Sequence, residues 1–177
     1  MKEKRDMKIL IMNGSPHSHG NTAGMIGTFK TAAEQAGHEV TVYSVCQKHI
    51  AGCRACEYCH TEGHGVCAQK DDMAELLALI QHAEMIVLAS PIYYFGLSGQ
   101  LQCALHRTYA IGVPQHVRKV AMLLSSGSDN VYDGALFEYR NTVDYWQAKD
   151  VGVVTAYGAQ NGLDETKAAI RELVSRI

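Results

Sequence analysis

The stretch Lys8–Thr22, KILIMNGSPHSHGNT, decides the fold. Its first part, KILIM, is a near-continuous apolar run, the pattern of a strand buried on both faces of a parallel sheet. The part from Gly14 to Thr22, GSPHSHGNT, holds two Gly, three hydroxyl residues, one Asn, one Pro and two His, but no Lys or Arg. Thr22, Ile26, Phe29 and Ala33 then fall on one face at helical spacing, with Gly37 as a stop. Strand, polar turn and helix follow within thirty-odd residues, which is half of a βαβ unit.

The same alternation runs along the rest of the chain. Met85–Ala89 and Val120–Leu124 read as further buried strands. The mixed segment HEVTVYSV, with Val40, Val42 and Val45, reads as an outer strand, as does Val151–Tyr157, which ends at Gly158. Asp72 with Glu75 resembles a capping box before the stripe Met73, Leu76, Leu77 and Ile80. Leu97, Leu101, Ala104 and Leu105 form another stripe, and Ala135, Leu136, Tyr139, Val143 and Trp146 a fourth. Ala169, Ile170, Leu173 and Ile177 form the last, with Asp164 as its expected cap. These Met, Tyr and Trp positions read as core. Five alternations of strand and helix predict an α/β fold, with helices on both faces of a parallel sheet joined by right-handed crossovers. The expectation is one domain spanning 1–177, interrupted by an irregular cysteine-rich insertion at about 47–70.

The chain has 177 residues, with 16 Lys and Arg against 18 Asp and Glu, a net charge of −2. That balance argues against a nucleic-acid or anionic-membrane surface. No apolar run approaches transmembrane length. After the charged start MKEKRD, the run Ile9–Met12 is too short for a signal-peptide core. A cytoplasmic protein is expected, and its six cysteines are then not structural disulfides.

In an open α/β sheet, ligands bind beyond the carboxyl ends of the strands. A helix N-terminus there stabilises an anion through free N–H groups and the positive dipole end, without a cation. Ser15, Ser18, Asn21 and Thr22 add neutral donors, so a terminal phosphate is the expected ligand. The competing reading of the turn alone is a capped helix start. A Walker loop is excluded, because no Lys-Ser or Lys-Thr pair follows the glycines. A dinucleotide fingerprint is excluded by the spacing of Gly20, Gly24 and Gly27. The second loop, SPIYYFGLSGQ, offers Pro91, Ile92, Tyr93, Tyr94, Phe95 and Gly96, an apolar and aromatic shelf for a flat ring. The third, Ser125–Asn130, brings Ser126 and Gly127 within reach of the same ring. A phosphate cradle beside an aromatic shelf suits FMN.

Taken together, GSPHSHGNT, the cysteine insertion followed by KDDM, and ASPIYYFGLSGQLQ resemble the NADPH-dependent FMN reductase family over nearly the whole chain. The resemblance implies a flavodoxin-like three-layer sandwich with strand order 2-1-3-4-5. It implies FMN bound without a covalent link, its phosphate on Ser15, Ser18, Asn21 and Thr22 and its ring on Pro91–Gly96. His17, within the first loop, stands where many relatives carry Arg. The resemblance further implies a homodimer or homotetramer with the flavin close to a subunit interface.

The insertion reads CRACEYCHTEGHGVC, and four of the six cysteines crowd into it. Cys53, Cys56 and Cys59 at this pitch, closed by Cys67, suit a 4Fe-4S cluster, and the motif resembles that of the iron–sulfur flavoproteins. Three other readings stand beside it: zinc held with His60 or His64, a redox pair of Cys53 and Cys56, or reduced thiols on a lid over the flavin. Cys46 and Cys103, outside the cluster, read as small buried hydrophobes. His38, His49, His82 and His116 are scattered and read as solvated. Arg107, beside His106 at the end of the third helix, reads as an interface salt-bridge partner.

The expected activity is transfer of hydride from NAD(P)H through bound FMN to a small acceptor: a flavin, a quinone, a nitro or azo compound, or a metal ion. No side chain need act as an acid or base, because the cofactor carries the chemistry. One rival is an electron carrier with FMN and a cluster; another is a metal-binding or docking module without flavin.

Overall fold

The computed structural model describes residues 6–177, so Met1–Arg5 of the charged N-terminal stretch lie outside the described residues. Five parallel strands form one sheet: β1 (Lys8–Asn13), β2 (Glu39–Ser44), β3 (Met85–Pro91), β4 (Lys119–Ser126) and β5 (Lys149–Tyr157). Their order is β2-β1-β3-β4-β5, the flavodoxin-like arrangement. The helices are α1 (Asn21–Gln35), α2 (Met73–His82), α3 (Gly99–Arg107), α4 (Asp133–Tyr145) and α5 (Asp164–Ser175).

Side chains alternate across a strand, so each central strand feeds two cores. Leu10, Met12, Ile86, Leu88, Val120, Met122 and Leu124 pack on one face under α2, α3 and α4. Ile9, Ile11, Met85, Val87, Ala89, Ala121 and Leu123 pack on the other under α1 and α5. The central strands are therefore apolar along their middles, from Ile9 to Met12, Met85 to Ala89 and Val120 to Leu124. On β2, at the edge, Val42 is 36% exposed. Tyr139 and Trp146 are core residues, as their stripe predicts. Gly37, at φ +96°, ends α1 as expected.

Several local expectations are corrected. Asp72 does not close a capping box on α2; its carboxylate accepts from His49 N at 2.7 Å, while Glu75 pairs with Lys48 at 2.7 Å. Asp164 is the first residue inside α5 rather than its cap, and Leu163 precedes it without a side-chain acceptor. Ala169 faces solvent and Val174 takes its place in the core. His38 is buried at 5% exposure, its Nδ1 accepting from Met7 N at 3.2 Å, whereas His49, His82 and His116 are exposed. Cys46 and Cys103 are only half-buried. Among the described residues no helix is long and apolar enough to cross a membrane.

The β1–β3 pairing continues one residue past the end of β1, for Gly14 N donates to Ala89 O of β3 at 2.8 Å. Gly14 also lies directly beneath the start of α3. A Cβ there would stand 2.6 Å from Ser98 Oγ and 2.8 Å from Leu101 Cβ. Gly14→Ala is therefore expected to destabilise the fold by about 1–3 kcal/mol through overpacking, read as a lower urea midpoint with an unchanged m-value. An unchanged midpoint contradicts this close approach.

Candidate functional site

Three loops meet at the carboxyl end of the sheet. In the first, Asn13 acts as a post: its Oδ1 accepts from Ser15 N at 2.9 Å and its Nδ2 donates to Ser44 Oγ at 3.3 Å. Ser15 is buried, and its Oγ accepts from His17 N at 3.2 Å. His17, Ser18 and Asn21 are exposed on the open side. Thr22 is only 1% exposed, and its hydroxyl shares a 2.7 Å hydrogen bond with Ser125. The Thr22 side chain thus ties the first loop to the third.

Gly20 precedes α1 in extended conformation and gives the helix no side-chain cap; there is also no acidic residue in its first turn. The first intrahelical bond is Gly24 N to Gly20 O at 3.0 Å. The first turn of a 15-residue helix therefore points N–H groups out of its end without a protein anion to meet them. The expected alternative, a capped helix start, does not occur.

The second loop is a tight turn. Tyr93 and Gly96 exchange main-chain hydrogen bonds of 3.0 and 3.2 Å. Between them Tyr94 and Phe95 stand at φ 51° and 68°, the left-handed conformation that non-glycine residues adopt at a cost of order 1 kcal/mol each. Tyr94 is 99% exposed and Phe95 60%, so burial of these rings does not offset that cost. Pro91, Ile92 and Gly96 are half-buried. The turn is held from behind. Ser98 N donates to Ser90 Oγ at 3.0 Å, Ser98 Oγ caps α3 by accepting from Leu101 N at 3.4 Å, and Gly134 at the head of α4 lies against the Phe95 carbonyl.

In the third loop, Ser126 Oγ bonds Ser128 O at 2.6 Å and Tyr132 Oη at 2.7 Å. Asn161 Nδ2 reaches Ser126 O at 3.3 Å from beyond β5. Gly127 is exposed, with open space where a Cβ would stand. Sequence reasoning missed Asn13, Ser90, Ser98 and Asn161. Only the run of small polar residues at each strand end signals such posts.

The cysteine segment lies alongside. All six cysteines are free thiols; Cys53 and Cys56 are exposed, Cys59 and Cys67 half-buried against the α3 side of the core. Burial raises the Cys59 pKa, and Cys67, Glu57 and Cys53 add to it. The chain turns between them through Ala55, Glu57 and His64 at positive φ. His60 Nε2 bonds Tyr109 O at 2.8 Å, and Tyr109 Oη donates to Glu57 at 3.0 Å. Four thiols are the right donor chemistry for an iron–sulfur cluster. In this conformation, among the described residues, no three His, Cys, Asp or Glu are gathered to hold a metal ion.

Arg107 is not an interface residue. It is 1% exposed and forms a bidentate pair with Asp71 at 2.8 and 2.9 Å. His106 beside it is exposed.

Uncapped helix, strained aromatic turn and a glycine-bearing third loop at the carboxyl end of a 2-1-3-4-5 sheet define the class: a flavodoxin-like flavoprotein. The family model for NADPH-dependent FMN reductases matches residues 7–162. The chain belongs to that family, whose cofactor is FMN. An iron-sulfur flavoprotein of Archaeoglobus fulgidus is 30% identical over 97% of this chain and 79% of its own length. An iron-sulfur flavoprotein of Methanocaldococcus jannaschii is 31% identical over 63% of this chain, which spans only 57% of that relative. Among solved structures, an FMN-dependent NADH-azoreductase from Bacillus anthracis superposes with a TM-score of 0.72 at 14% identity, over 96% of this chain and 98% of that one. An NAD(P)H:quinone oxidoreductase from Methanothermobacter marburgensis superposes with a TM-score of 0.63 at 14% identity, over 97% and 94%.

Two outcomes are expected. Tyr94→Gly relieves backbone strain and gives up only the exposed edge contact with the Phe95 ring, so the ligand-free protein is expected to melt later, by the equivalent of about 1 kcal/mol, with weaker FMN binding. An earlier melt contradicts the strained turn. Asp71→Asn leaves a buried guanidinium without its carboxylate and is expected to cost about 3 kcal/mol. The Arg107 hydrogen bond lowers the Asp71 pKa below 3.8, so this stabilisation is present above 3.8 and lost as pH falls through the folded value. The difference in unfolding free energy between wild type and Asp71→Asn is expected to narrow below pH 3.8. A difference independent of pH contradicts the charge pairing.

Proposed function

We propose that this chain is an FMN-dependent NAD(P)H oxidoreductase whose phosphate site is the uncapped start of α1. The supporting observation is the unmet N–H groups of that first turn, between the exposed Ser18 and Asn21, in a loop without cation or carboxylate. The Ser15, Ser18 and Asn21 side chains and the Thr22 main chain would hold the phosphate, with His17 at the rim. Pro91, Ile92, Tyr93, Tyr94, Phe95 and Gly96 would carry the ring, and Ser126 with Gly127 would border its far edge. When bound, FMN supplies hydride and electron transfer between NAD(P)H and an acceptor. The chain's own part is to position. The Tyr93–Gly96 turn presents main-chain groups at a fixed height, and the exposed Tyr94 and Phe95 form an open wall against which a second flat substrate can lie. An open wall suits a range of small acceptors: flavins, quinones, nitro or azo compounds, or metal ions.

The described residues act in this reading as one FMN-binding unit carrying a cysteine insertion, in the reducing cytoplasm. The homodimer or homotetramer implied by the resemblance belongs to it as well. Phe137, Tyr145 and Tyr109 around the groove between α3 and α4 are the exposed apolar surface such an assembly would cover.

A second reading has one observation in its favour: four reduced thiols on a tethered segment, in a chain 30% identical to an iron-sulfur flavoprotein over nearly its whole length. In that reading Cys53, Cys56, Cys59 and Cys67 would hold a 4Fe-4S cluster, with Cys53 and Cys56 moving inward.

Asn21→Asp separates binding from folding. A carboxylate at the first position of α1 is favourable to the helix dipole but repels a phosphate. The variant is expected to melt no earlier than wild type and to bind FMN about tenfold more weakly, some 1.4 kcal/mol. Unchanged FMN affinity, measured by quenching of flavin fluorescence, sinks the phosphate assignment.

A further inference from the structure

The head of α4 meets two of the three loops at the carboxyl end of the sheet. Tyr132, the residue before the helix, is buried, and its hydroxyl shares a 2.7 Å hydrogen bond with Ser126 of the third loop. Gly134, the second residue of the helix, lies against the Phe95 carbonyl of the second. That approach excludes any side chain. A Cβ on Gly134 would stand 2.5 Å from Phe95 O and 3.5 Å from Phe95 C. Glycine inside a helix costs about 0.5–1 kcal/mol relative to alanine, and Gly134 has no positive φ to account for it. The close contact is what remains to account for it.

Of the two bodies in contact, the helix is the fixed one. Ala135, Tyr139 and Val143 bury its inner face. Tyr139 Oη donates to Val120 O at 3.1 Å and to Asp150 Oδ1 at 2.5 Å, which pins α4 to β4 and β5. The turn is the compliant one. Its own hydrogen bonds join Tyr93 to Gly96 and engage neither Tyr94 nor Phe95. Both of these stand in left-handed conformation with their rings exposed.

We propose that Gly134 is a positioning residue for the flavin ring: the bare backbone at the head of α4 is the stop against which the Phe95 carbonyl rests, and it sets where the Tyr93–Gly96 turn meets the ring. The inference rests on the FMN reading given above. Tyr132 ties the same helix head to Ser126, so one rigid body places both loops that border the ring. Real Cβ contacts stay at 3.0 Å or beyond, so Gly134→Ala drives the Phe95 carbonyl outward by about half an ångström or more. The phosphate cradle belongs to the first loop and the head of α1, and takes no part in this contact.

The test titrates FMN and riboflavin into flavin-free wild type, Gly134→Ala, Phe95→Gly, the double variant and Gly27→Ala, and melts each protein without flavin. Gly27→Ala is the helical control, at a glycine of α1 with open space where a Cβ would stand. It is expected to bind both flavins as wild type does; a loss equal to that of Gly134→Ala overturns the proposal. Gly134→Ala is expected to bind both flavins about tenfold more weakly, some 1.4 kcal/mol, with the same factor for each. The visible spectrum of its bound flavin is expected to differ from that of wild type at saturation. Unchanged riboflavin affinity, a loss confined to FMN, or an unchanged spectrum overturns the ring-positioning role. Phe95→Gly frees the carbonyl to turn aside, so it is expected to raise the melting temperature more in the Gly134→Ala background than in wild type. Equal gains overturn the contact, even where Gly134→Ala alone folds poorly. Wild type that takes up neither flavin overturns the FMN reading itself, whereas wild type that binds FMN no better than Gly134→Ala overturns this proposal alone.

Discussion

The structure depends on one constraint: β1 and β3 lie side by side, so the loops that leave them share one edge of the sheet. Parallel pairing puts both loops at the carboxyl end, and the crossover through α2 carries the chain back to the far end between them. Gly14 makes the contact close, because its missing Cβ lets the start of α3 settle onto the first loop. The two loops then leave different things unspent. The first leaves N–H groups of α1 without an acceptor. The second leaves two aromatic residues in a left-handed turn, with their rings in solvent. A fold optimised only for stability would cap the first and place glycine in the second. Among the five helices α1 alone starts with neither a side-chain cap nor an acidic residue in its first turn, and the left-handed aromatic pair stands in the adjoining loop.

The cysteine segment is joined to that place. Cys46 Sγ donates to Gly14 O at 3.2 Å, and Gly52 lies over Cys103 of α3. The segment has almost no regular structure, so its position comes from tethers. Arg107 and Asp71 hold its two ends, and His60 and Glu57 hold its middle to Tyr109. Buried charge is thus spent on fixing a loop, at the one point where the alternating sheet and helix pattern is interrupted.

Much of the fold was legible because burial imposes periodicity. Runs such as KILIM and MIVLA announce strands covered on both faces, and the stripes of α1 and α4 announce their inner sides. The loops could be read as a phosphate cradle and a ring shelf because strand ends in such sheets have one known use. What was misread was tertiary. Asp72 and Glu75 have capping-box spacing, but His49 and Lys48 from another segment claim them. Asp164 stands at a helix start, yet the chain enters α5 one residue earlier through Leu163. Arg107 carries a charge and follows an apolar stripe, so sequence alone sends it to the surface; its partner is 36 positions away. Thr22 belongs to the first loop by pattern, but its hydroxyl is taken by Ser125, 103 positions on. Periodicity reports which face is buried and is silent on which distant polar group shares the burial.

The central claim is that main-chain N–H groups at the head of α1 anchor the cofactor through its terminal dianion. The most direct measurement is a comparison of FMN with riboflavin, which has the same ring and lacks the phosphate, binding to the flavin-free protein by calorimetry. The account predicts that FMN binds about a hundredfold more tightly or better, a difference of about 2.7 kcal/mol, with the advantage shrinking as salt is raised. Equal affinity for the two flavins would contradict it.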